Sequence, residues 1–118
     1  MRVLLFFLFL IQDSYSHPLA PSFYKIRERD KGLLEVLWKE PEMNVRGERV
    51  IPLVPEGCKF IGNPHYSYEN TGVIKNYNLS CQGLLIGKTI EVKGLKNSKR
   101  NVLLHITLKD KRVIQEIL

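Results

Sequence analysis

Val102-Leu103-Leu104-His105-Ile106-Thr107-Leu108 is the stretch whose reading decides the fold class. Val102, Leu104, Ile106 and Leu108 fall on one side of a period-two repeat, and Leu103, His105 and Thr107 fall on the other. Successive side chains of an extended chain point to opposite faces, so this alternation marks a strand with one face against a core. Lys109-Asp110-Lys111-Arg112 then reads as a polar turn, and Val113 to Leu118 returns as the second strand of a hairpin.

The same grammar recurs upstream. Ser22 to Glu28 places Tyr24 and Ile26 on one face, Arg29-Asp30-Lys31-Gly32 is a turn, and Leu34, Val36 and Trp38 alternate with Leu33, Glu35 and Leu37. Lys39-Glu40-Pro41 ends that hairpin, and Glu42 to Glu48 reads as a polar loop. Arg49 to Val54 forms a third strand, which Pro52 confines to an edge or a bulge because proline has no amide hydrogen to donate. Pro55-Glu56-Gly57 turns the chain into Cys58, Phe60 and Ile61, and His65 to Glu69 is a weaker strand after a loop at Pro64. In Val73 to Cys81, the residues Val73, Tyr77, Leu79 and Cys81 share a face; Lys88 to Lys93 directs Ile90 and Val92 inward. No stretch keeps a helical apolar period for three turns.

The fold expected from this pattern is all-β: a single antiparallel immunoglobulin-like β-sandwich of about seven or eight strands. Trp38, Val36, Tyr77, Leu79, Ile90, Leu104 and Ile106 are its expected core. Trp38 precedes both cysteines, so the Cys-Trp-Cys order of a true immunoglobulin domain is absent.

The first residues set the compartment. Arg2 supplies a positive start, Val3 to Ile11 is unbroken apolar sequence, and Ser14 and Ser16 stand as small residues before His17. This is the charge, length and small-residue order of a cleaved secretory signal peptide, residues 1–16, followed by an exported domain, residues 17–118. The apolar run is far shorter than the roughly 20 residues that span a bilayer as a helix. In an exported chain, Cys58 and Cys81 read first as a disulfide, worth about 3 kcal/mol in the chain-entropy model. The net charge is +6, and the leader removes one Arg and one Asp, so export leaves it unchanged. Such a charge favours anionic surfaces, and an exported location argues against nucleic acid among them.

Several segments together carry a resemblance: His17-Pro18-Leu19-Ala20-Pro21-Ser22, Leu34-Glu35-Val36-Leu37-Trp38-Lys39 with Pro41, and Val54-Pro55-Glu56-Gly57-Cys58. They continue with Leu79-Ser80-Cys81-Gln82-Gly83-Leu84, Ile86-Gly87-Lys88-Thr89-Ile90, Val92-Lys93-Gly94-Leu95 and Asn101-Val102-Leu103-Leu104. In order and spacing they resemble the exported N-terminal domain of HupE/UreJ-type membrane proteins, a family associated by name with hydrogenase and urease accessory functions. The resemblance implies a periplasmic or extracytoplasmic accessory domain, membrane-associated through a multi-helix partner. Members of that family continue into a membrane domain expected to carry transport, and this sequence ends at Leu118 without its motifs. Permease activity is therefore not carried over. The chain is expected to be a split or truncated member, or to have a separate membrane subunit.

Catalysis has no motif here: there is no G-x-S-x-G, no H-E-x-x-H and no glycine-rich phosphate loop. The expectation is a non-enzymatic protein without a cofactor. The competing reading is a secreted metal-capturing protein. Cleavage after Ser16 would give His17 an α-amine beside its imidazole, a nitrogen pair suited to Cu(II) or Ni(II). Pro18 denies that site a backbone amide, so His65 or His105 would have to approach. The expected contact surface for a membrane protein or an anionic membrane is basic: Lys96, Lys99 and Arg100 at one end of the sheet, and Lys109, Lys111 and Arg112 at the other.

Overall fold

The computed structural model describes residues 20–41, 49–69, 72–98 and 100–118. The leader 1–16, His17, the loop 42–48 and Lys99 lie outside the described residues. Among the described residues eight strands follow in order: β1 (Ser22–Glu28), β2 (Leu33–Pro41), β3 (Ile51–Pro52), β4 (Cys58–Glu69), β5 (Gly72–Cys81), β6 (Val92–Lys93), β7 (Val102–Thr107) and β8 (Val113–Ile117).

β1 and β2 pair antiparallel, Tyr24 opposite Trp38 and Ile26 opposite Val36, as the alternation implies. The turn between them needs left-handed backbone at Lys31 (φ 61°) and Gly32 (φ 77°), and the missing Cβ of Gly32 lets the Cys81 carbonyl approach it closely. β7 and β8 form the expected hairpin. Cys58 and Cys81 are bonded, their Cα atoms 4.0 Å apart at directly opposed positions of β4 and β5. The bridge is half-buried and packs against the core, and it fits an oxidising compartment.

The sandwich expectation is corrected. Among the described residues, six strands make one mixed sheet in the order β4-β5-β2-β1-β7-β8, and only β3 and β6 pair outside it. β1 runs parallel to β7, in register from Ser22 opposite Val102 to Arg27 opposite Thr107. Parallel neighbours need a long crossover; here it is everything from β2 to β6. The apolar rows of both strands then fall on one face, Tyr24 and Ile26 beside Leu104 and Ile106.

Among the described residues no second full sheet forms, because the facing segments cannot sustain one. Pro52 limits β3 to two residues, and Gly83, Gly87 and Gly94 interrupt the chain on either side of β6 with positive φ. The covering layer is instead irregular chain, from which Val50, Val54, Leu85, Ile90, Val92 and Leu95 pack on the sheet. Six of the seven expected core residues are buried; Ile90 is half-buried at the layer boundary. The Tyr24 and Trp38 rings meet edge to face, centroids 5.5 Å apart.

The segments Cys58–Ile61 and His65–Glu69 are one strand, not two. A register shift between Ile61 and His65 lets β4 bend and continue along β5, so Pro64 lies within an exposed edge strand that carries His65, and not in a loop between two strands.

Candidate functional site

The covering layer stops short of the β4 side of the sheet. Core-facing residues of β2, β5 and β4 there floor an open groove of about 490 Å³, walled by the Arg49–Pro52 segment. Trp38, Lys75 and Tyr66 are cross-strand neighbours in one row; Tyr77 and Phe60 lie beside it. Phe60 and Tyr66 keep about half of their surface in solvent, at 49% and 55%.

Lys75 gives the groove its charge. It occupies the inward side of β5 between Val73 and Tyr77, where the pattern would place an apolar residue. Its ammonium lies 5.2 Å from the Tyr77 ring centre and 5.9 Å from that of Phe60, within cation–π range of both. Phe60 and Tyr77 themselves meet at a tilt, centroids 5.3 Å apart. The Trp38 indole donates to a Glu40 carboxylate oxygen at 2.8 Å, so Glu40 is engaged within the wall. Arg49 is exposed at the rim. Burial pushes the Tyr77 phenol up to about 12, against hydrogen bonding with Tyr24 that lowers it, so this phenol stays neutral beneath the Lys75 ammonium at physiological pH. Aromatic faces around cations suit a ligand or partner segment carrying carboxylate and apolar groups.

The basic residues divide as the parallel register of β1 and β7 requires. Lys96 and Arg100 lie toward the Ser22–Val102 end, and Lys109, Lys111 and Arg112 lie beyond the Arg27–Thr107 end. Lys96, Lys109, Lys111 and Arg112 are exposed. Arg100 is not: it is 6% exposed and lines the groove, because the chain turns inward there to start β7. Arg112 is also engaged, its Nε donating to Asp110 at 2.7 Å and its amide to the same carboxylate at 3.0 Å. The Arg112 amide, ahead of its side chain, holds the Asp110 carboxyl below the usual carboxylate range.

His65 and His105 do not converge. His65, Asn76, Leu37, Lys25 and His105 form one row across β4, β5, β2, β1 and β7. Four strand spacings separate the two imidazoles, roughly 19 Å, so at most one of them can join a site at His17. Among the described residues no three His, Cys, Asp or Glu side chains gather in a metal-binding group.

Two residues that matter were missed in the sequence, and both break an apolar row. Lys75 stands in the row of Val73, Tyr77 and Leu79; Glu28 ends the row of Tyr24 and Ile26. A charge at inward parity was the signal. Glu28 is 7% exposed, and its two carboxylate oxygens accept the amides of Leu85 (2.8 Å) and Lys109 (3.1 Å).

No family model, curated protein or solved structure matches the chain.

Proposed function

We propose that the chain is a non-enzymatic, extracytoplasmic accessory domain that docks on a membrane protein of the HupE/UreJ kind. The observation that carries this reading is the Lys75 groove: aromatic side chains and cations held open on the inward face of a disulfide-clipped sheet. A sheet that leaves Phe60 and Tyr66 half in solvent retains apolar surface that a partner would cover. Lys75 and Arg49 favour an acidic extracytoplasmic loop of that partner, and Lys109 and Lys111 add attraction at the far end of the sheet. Membrane attachment is thus through protein and not through lipid alone.

The test is co-fractionation of the exported chain with membranes containing a co-expressed HupE/UreJ-type protein, beside vesicles of phosphatidylcholine and phosphatidylglycerol without protein. Lys75→Glu with Arg49→Glu should abolish retention on the former. Retention on protein-free vesicles equal to that on the membranes would make lipid the partner and overturn the reading. So would an unaffected double variant.

Metal capture is tested separately, by titrating the mature protein with Cu(II) and Ni(II). Sub-micromolar binding that is lost when a residue is added before His17 would favour capture over docking.

A further inference from the structure

The two edges of the main sheet are built differently. β4 is blunted: Gly62, Asn63 and Pro64 stand at its register shift, and Lys59 lies on the strand. Proline, bulges and lysine are the devices by which sheets prevent edge-to-edge pairing. β8, Val113-Ile114-Gln115-Glu116-Ile117, has none of them. All five residues are exposed, with Val113 at 54%, Ile114 at 41% and Ile117 at 71%, and among the described residues β8 pairs only with β7.

The ladder between β7 and β8 fixes which backbone groups of β8 are unused. Val102 and Leu118 exchange both of their bonds, at 3.4 and 2.9 Å, and the Leu108 amide donates to the Arg112 carbonyl at 2.8 Å. With Ile114 opposite Ile106 and Glu116 opposite Leu104, even-numbered residues of β8 therefore point their N–H and C=O groups at β7. Val113, Gln115 and Ile117 point theirs to the open edge.

We propose that β8 pairs with β8 of a second copy of this chain, antiparallel and centred on Gln115, joining two six-stranded sheets into one. A two-fold axis there sets Gln115 opposite Gln115, Val113 opposite Ile117 and Ile117 opposite Val113. All three are outward-facing positions, so each pair exchanges two backbone bonds. The side chains are self-complementary too, because Val113 and Ile117 meet on the same face. Charge selects the direction. β8 begins beside Lys111 and Arg112 and ends at Glu116; antiparallel pairing brings each cationic start beside the other copy's acidic end, diagonally Arg112 to Glu116. Parallel pairing would stack like on like. The groove and its partner play no part in this contact, so it stands or falls independently of the docking reading.

Sedimentation velocity of the exported protein over a concentration series should show a reversible monomer–dimer equilibrium, as a short strand-to-strand contact gives a weak interface. Gln115→Pro removes an outward amide without touching the bonds to β7, and should leave a monomer at every concentration. Val113→Lys provides the same test without altering the backbone. Cysteine scanning reads the register: Gln115→Cys lies on the axis and should cross-link to its own copy under mild oxidation. Val113→Cys should not, because two such residues stand about 14 Å apart by strand rise. A monomer throughout, a dimer that survives both Gln115→Pro and Val113→Lys, or cross-linking as fast at position 113 as at 115 would overturn the proposal.

Discussion

Glu28 and Leu85 stand 57 residues apart in sequence, and the Leu85 amide donates to the Glu28 carboxylate at 2.8 Å in a buried setting. The other carboxylate oxygen takes the Lys109 amide. One side chain at the end of β1 thereby fastens the covering layer and the β7–β8 turn to the sheet.

Glu28→Ala should destabilise the protein by about 2–4 kcal/mol, because bonds to a charged acceptor are strong and two amides lose their partner. Glu28→Gln, which keeps one carbonyl acceptor, should lose less. Urea unfolding of the three proteins checks the order; an alanine variant within about 0.5 kcal/mol of wild type would show that water replaces the carboxylate.

Removing the bridge with Cys58→Ala and Cys81→Ala should cost about 2–5 kcal/mol, most of it felt by the edge strand β4. Hydrogen exchange should show β4 amides losing protection before those of β1 and β2. A shift in the unfolding midpoint when the wild-type protein is reduced is the matching observation.

Stability should fall in alkali. Burial raises the Tyr77 hydroxyl from 10.0 to about 12, and Tyr24 moves the same way, through burial first and then the neighbouring Tyr77. Below pH 10 folded and unfolded chains carry the same phenol protons. Between about 10 and 12 the unfolded chain releases protons that the fold retains, so unfolding becomes easier with each step in pH. Tyr77→Phe should flatten that slope, measured as thermal midpoint against pH with tyrosinate absorbance alongside.

Gly94 has φ 93°, and a Cβ there would collide with the Arg49 carbonyl. Gly94→Ala should therefore destabilise by about 1–3 kcal/mol and loosen the segment that walls the groove. Calorimetry gives the stability change, and quenching of Trp38 fluorescence the accessibility. Reversing Lys109 and Lys111, both exposed, should by contrast change stability by no more than about 0.5 kcal/mol.

The sequence by itself determined the strands whose apolar residues alternate without a break. Period-two rows such as Tyr24–Ile26, Leu34–Val36–Trp38 and Val102–Leu104–Ile106–Leu108 place one face of each in the core wherever the strand is paired. The two local hairpins and the cysteine pair were legible for the same reason: turn chemistry joins neighbours in sequence, and two thiols in one small domain have only each other. What the sequence could not decide was which distant strands lie side by side. The parallel match of β1 to β7 uses the same alternation that an antiparallel match would use, and only the crossover through β2–β6 and the burial of both rows on one face select it. The groove followed from that choice. Lys75 reads as a solvated lysine until the short, glycine- and proline-broken covering layer leaves its side of the sheet open, with the rings of Tyr77 and Phe60 against it. Alternation is a property of one strand, whereas coverage and pairing depend on how much of the remaining chain can reach each face, and that is settled only when the whole chain is packed.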